Sequence, residues 1–156
     1  MSRSTVGALL LTGVLALAGC GGTDRIAEEA VEDASNGEVK IDRDGDETRV
    51  EVGGQELENK QGDLVDGFPD DVPLPDGFEI VSSTKTQGKY STFGRIASSE
   101  DTFAFYKAEL PKEGWKVEVA SAAGGSFQIV AKKAGRALVL GSAPSNEGAN
   151  LTVVVE

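Results

Sequence analysis

Short segments of alternating polarity recur along this chain, and the connections between them are brief and rich in glycine. Such connections suit antiparallel neighbours, because parallel ones need a crossover of roughly a dozen residues or more. Residues 38–42 and 48–52 carry apolar side chains at alternate positions around Asp44-Gly45-Asp46, the pattern of a β-hairpin. Gly53-Gly54 leads into a polar stretch, 55–63, that reads as loop or as a weak third strand. Residues 78–86 and 90–97 read as two strands joined at Gln87-Gly88. Residues 115–121, 126–134, 136–143 and 150–156 read as further strands, connected through 122–125, Gly135 and 145–148. The last of them is apolar on both sides, as a central or covered strand would be.

One helix is expected among these strands. Ser98 or Ser99 can cap it, and Glu100 and Asp101 in its first turn suit the helix dipole. Phe103, Tyr106 and Leu110 recur at helical spacing with Phe105 beside them, and Pro111 predicts that the regular turns end near Leu110. The expected fold class is therefore α+β: an antiparallel sheet with one main helix, about residues 99–112, packed on one face as a two-layer sandwich over 78–156. A second helix is expected over 24–34, where Ile26, Ala30 and Ala34, with Ala27 and Val31, form an apolar stripe before Asn36-Gly37. That stripe is expected to dock on its own domain. This helix and the hairpin make an acidic segment, 24–67. Residues 68–77, with three prolines in Pro69, Pro73 and Pro75, make a stiff extended connector whose Phe68, Val72 and Leu74 lie on a core.

The amino terminus carries an address. Arg3 and the α-amino group precede an apolar run from Val6 to Ala18, too short to span a bilayer at about 20 residues but right for a signal peptide. It ends Leu17-Ala18-Gly19-Cys20, which resembles the lipobox of bacterial lipoproteins. That resemblance implies removal of residues 1–19, diacylglycerol and palmitate on Cys20, a tether over 20–23, and a body held on the extracytoplasmic face of a cell membrane. Cys20 is the only cysteine, so the body has neither a disulfide nor a cysteine metal site.

Charge divides the chain. Residues 21–72 hold 17 Asp and Glu against 5 Lys and Arg, whereas residues 73–156 hold 9 of each. Nucleic acid is excluded as a partner, since binding it requires basic surface. The acidic segment reads as a solubilising surface, with a basic partner as the sharper alternative.

Chemistry is sparse. The chain has no histidine, which removes Ser-His-Asp and Cys-His catalysis and the usual zinc sites. Asp42, Asp44 and Asp46 open like an EF-hand loop, but glycine is fourth rather than sixth and Gly53 stands where a bidentate Glu belongs. A weak calcium site is the most that this triplet supports, and no other cofactor is expected. Phe105, Tyr106 and Trp115 suit a core or a ligand cage, the core being the commoner use. Residues 100–115, with Phe105-Tyr106-Lys107-Ala108-Glu109-Leu110 followed by Gly114-Trp115, together with the Phe68–Pro75 stretch, are similar to small bacterial lipoproteins of unassigned function. The expected role is a non-catalytic envelope module that binds another envelope component. The alternatives are a carrier of a small ligand or cation in a pocket lined by Phe103, Tyr106 and Trp115, and a carboxylate hydrolase.

Overall fold

The computed structural model describes residues 39–156. The leader 1–19, Cys20, the tether 20–23 and the helix expected over 24–34 lie outside the described residues. Nine strands follow in chain order: β1 (Val39–Asp44), β2 (Glu47–Val52), β3 (Gln55–Gln61), β4 (Glu79–Thr86), β5 (Lys89–Ile96), β6 (Lys116–Ala123), β7 (Ser126–Lys133), β8 (Arg136–Ser145) and β9 (Gly148–Val155). Among the described residues a single helix, α1 (Ser99–Lys112), joins β5 to β6. All neighbours are antiparallel, in the order β1-β2-β3-β4-β5-β9-β8-β7-β6.

This overturns the α+β sandwich. The fold is one sheet-dominated layer in which α1, at 14 residues, packs chiefly over β6, β7 and β8. Two pairings produce this single layer. The polar stretch 55–61 is a full strand, pairing with β2 on one side and β4 on the other, so the hairpin is spliced into the main sheet. Strand β9 pairs with both β5 and β8, which makes the two meanders continuous.

Turn chemistry explains the regularity. Gly53-Gly54, Gln87-Gly88, Gly124-Gly125 and Ala134-Gly135 have positive φ at both positions, the backbone of tight primed hairpins whose twist matches the strands. Between β1 and β2 the positive φ falls on Gly45 alone, the first of the two turn residues.

The helix is closed at both ends. Ser98 is extended (φ −144°, ψ 124°), and its hydroxyl accepts from the Asp101 N–H at 3.2 Å. Pro111 does not end the helix, which continues to Lys112. The proline lies in the last turn, and closure comes from a Schellman pattern in which Gly114 (φ +82°) donates to Pro111 O at 3.1 Å and Trp115 to Leu110 O at 2.9 Å. Beneath the helix, Tyr106, Leu110, Ile129, Leu138, Leu140, Leu151 and Val153 form a closed core. Val72 from the proline connector is buried in it, with Phe68 and Leu74 packed alongside.

Candidate functional site

The first turn of α1 and the tip of the β6–β7 hairpin leave a cleft of about 370 Å³ between them, lined by Ser99, Glu100 and Phe103 on one side and by residues 122–127 on the other. Each wall follows from local sequence. Capping at Ser98 brings Ser99 and Glu100 to the rim, and one turn later Phe103 faces the sheet. The Gly124-Gly125 turn keeps the opposite rim thin, so Phe127 meets Phe103 with ring centroids 5.6 Å apart. Ser142 braces the base of the cleft: its hydroxyl accepts from the Phe127 N–H at 3.3 Å and donates to the Ser99 hydroxyl at 2.9 Å. The result is an apolar floor with hydroxyls at one edge and the Glu100 carboxylate at the rim.

Behind this floor lies Tyr106, fully buried, 6.4 Å from the Phe127 ring and 5.2 Å from that of Phe105. Its hydroxyl finds no hydrogen-bond partner among the described residues. Burial in apolar surroundings pushes its pKa well above the ordinary phenolic value.

The chain is similar to the START domain-like family over residues 80–148. The match spans less than half of the chain, and every residue that lines the cleft falls within it. No curated protein and no solved structure matches.

The matched region does not contain the pocket expected from Phe103, Tyr106 and Trp115 together. Tyr106 and Trp115 are core residues, 0% and 2% exposed, and only Phe103 lines the cleft. Trp115 instead anchors a corner of the fold. Its indole N–H donates to Asp71 O at 2.6 Å, and Arg136 stacks 5.0 Å from its ring centroid. The Asp71 carboxylate ion-pairs with Arg136 and, at 2.6 Å, with Lys133. Burial works to raise the Asp71 pKa, but the hydrogen bonds and charges of Arg136 and Lys133 outweigh it and leave the pKa lowered. Asp71 thus pins the proline connector to the β7–β8 turn.

The aspartate triplet lies at the far end of the sheet. Asp42 and Asp44 share a face of β1, but Arg49 stands opposite Asp42 in the β1–β2 ladder and pairs with Glu47 at 2.5 Å. Asp46 occupies the second turn position, outside the ladder. Among the described residues, no group of three or more potential metal-ligating side chains comes together.

Sequence reasoning did not single out Phe127, Ser99 or Ser142 as members of one site. Phe127 opens an alternating apolar strand, and Ser142 lies 43 residues from Ser99. Only the strand order, which brings β8 beneath the start of α1, joins them.

Proposed function

We propose that this chain is a lipid-anchored extracytoplasmic lipoprotein, held through Cys20, and that its β-rich body is a non-catalytic module binding a small, largely apolar molecule in the cleft beside α1. One observation carries the binding half: the START domain-like match contains the whole cleft lining. At about 370 Å³ the cleft falls within the range of small-molecule sites, roughly 300–1,000 Å³. Its floor of Phe103 and Phe127 suits an apolar or aromatic group, the Ser99 and Ser126 hydroxyls suit a polar end, and Glu100 disfavours an anion. The absence of histidine and the single rim carboxylate argue for binding rather than turnover.

The anchor rests on Leu17-Ala18-Gly19-Cys20 and the apolar run before it. Two acyl chains retain a protein where one holds only marginally, at about 0.8 kcal/mol per buried methylene.

The test has two independent arms. Titration of Nile red into the unlipidated body (residues 20–156, Cys20→Ser) is expected to saturate, and Phe103→Ala to weaken binding about tenfold, the loss of roughly half a phenylalanine burial. Equal affinity in the two proteins would reject the cleft. Mass spectrometry of the native protein is expected to find residues 1–19 gone and Cys20 acylated; a free thiol or a retained leader would reject the anchor.

A further inference from the structure

Antiparallel sheets that leave one face to water normally line that face with polar and charged residues. The face turned away from α1 does not follow this habit at its centre. One cross-strand row runs from Thr84 through Ser91, Val154, Val139 and Val130 to Val119. The next runs from Ser82 through Phe93, Thr152, Gly141 and Gln128 to Ser121. Neither row holds a charge, yet Phe93 and Val139 are each 38% exposed and Val119 is 47% exposed. Gly141 is the odd residue here. Among the described residues, every other glycine either has a positive φ or, as at Gly94, is crowded by its own backbone. Gly141 has neither reason. A Cβ there would meet only Phe127 O, at 4.0 Å, and a glycine inside a strand weakens it or marks the close approach of another group.

We infer that this face packs on the same face of a second copy of the chain, about a two-fold axis that runs along β9. Strands β5 and β8 flank β9, so the axis exchanges them and sets Phe93 of each copy over Gly141 of the other. One contact then explains both the exposed ring and the missing side chain. Its neighbours also match large with small: Val139 comes to face Ser91, and Gln128 to face Ser82. Such an isologous contact uses one patch twice, and two flat faces of small side chains pack about 10 Å apart. Charge permits it in a chain of net charge −11. Lys89, Lys132 and Arg95 come to face Ala137, Thr86 and Ala143. Glu156, just past the end of β9, does meet its own copy, but Lys89 of the same chain pairs with it at 2.7 Å. The axis also exchanges β3 with β6, so β1 and β2 overhang the contact and take no part in it. The seven strands from β3 to β6 hold seven residues or more each. At about 4.8 Å between strands and about 3.4 Å per residue they make a face of roughly 34 by 24 Å, close to the area of about 800 Å² that each side of a stable dimer buries.

Sedimentation of the mature chain (residues 20–156, Cys20→Ser) tests this without involving the cleft or the anchor, whose readings stand or fall separately. A dimer that dissociates on dilution is expected. Gly141→Arg and Phe93→Ser, from the two sides of one contact, are each expected to weaken it by about tenfold or more. Gly141→Ala is expected to leave the melting temperature of the dilute monomer unchanged or higher, because the chain itself has room for the methyl group. A melt lowered by more than about 4 °C would place the need for glycine inside the chain and overturn the inference. A dimer that persists in both Gly141→Arg and Phe93→Ser would overturn it in favour of another surface. A chain that stays monomeric up to about 1 mM would overturn it outright and leave the face to a different protein.

Discussion

Removing one oxygen atom from the core should make this protein more stable. Tyr106 is fully buried, and its hydroxyl has no partner among the described residues. A buried polar group without a hydrogen bond costs about 1–3 kcal/mol relative to one left in water. Tyr106→Phe keeps the ring and its contacts with Phe105 and Phe127, and removes only that penalty. Some slack is left where the oxygen was, so the net gain is expected near 1 kcal/mol at the low end of the range. With a urea m-value of about 2 kcal/mol/M, the midpoint should rise by about 0.5 M at unchanged m. Tyr106→Ala, which empties the space, should instead cost about 3–5 kcal/mol. Alkaline pH supplies a second reading of the same group. Its folded pKa is raised above the unfolded value near 10 by desolvation, so above pH 10 the unfolded chain has lost a proton that the folded one retains. The Tyr106 contribution is thus complete below pH 10 and falls by about 1.4 kcal/mol per pH unit above it. That component of the fall should be missing in Tyr106→Phe. A urea midpoint lowered by 0.5 M or more in Tyr106→Phe (about 1 kcal/mol) would refute the reasoning, because it would mean that the hydroxyl is paired through a bound water or ligand.

Asp71→Ala should cost about 2 kcal/mol, a charge-assisted pair lost at a partly buried corner, and should shift the emission of Trp115, the only tryptophan, to the red; unchanged emission and stability would show the corner to be ornamental. Because the Asp71 pKa is lowered by folding, its stabilisation is present above the unfolded value of 3.8 and is lost as pH falls through the folded value, so Asp71→Asn should flatten the acid limb of a stability–pH curve. Gly94→Ala should abolish folding or cost more than about 3 kcal/mol by overpacking, since the new Cβ meets the Glu79 carbonyl oxygen and lies 2.6 Å from the Phe78 ring; a soluble protein with an unchanged melt would contradict that close approach. Calcium at about 1 mM, the affinity of the weakest extracellular sites, should leave the melting temperature unchanged, because Arg49 faces Asp42 across the ladder. A rise abolished by Asp42→Asn with Asp44→Asn would restore the cation site.

The strands were legible because their turns are chemically explicit. Gly53-Gly54, Gln87-Gly88 and Gly124-Gly125 each demand positive φ, and each ends one strand and starts the next. Helix α1 was legible from Ser98 and the aromatic spacing, although Pro111 marked its last turn and not its end. Residues 55–61 were harder. The run Gln-Glu-Leu-Glu-Asn-Lys-Gln has one apolar residue, so hydrophobic periodicity carries no strand signal; the ladder with β2 and β4 imposes the extended form. Its alternation does not reveal the pairing with β4 that joins the hairpin to the main sheet, and the helix-on-sheet sandwich expected from sequence gives way to a nine-stranded layer.

That unseen pairing also decides where the surfaces point. Alternation within a strand separates two faces but cannot say which of them faces the core. In β1 and β2 the alternation of Lys40, Asp42 and Asp44 with Val39, Ile41 and Arg43 suggests a hairpin lying with its valines inward on the body. Once β3 joins that hairpin edgewise to β4, its orientation is no longer free. The register carries the charged set onto the helix side and the apolar set onto the reverse. Two apolar regions therefore exist on opposite faces of one sheet. One is covered by α1 and the proline connector, with the Phe103–Phe127 cleft at its margin. The other, on the reverse face, includes Val52 and Leu57 near β1 and continues to Phe93 and Val139 further along the sheet. The Phe103–Phe127 cleft, beside β6 and β7, and strand β1 therefore lie at opposite ends of the strand order.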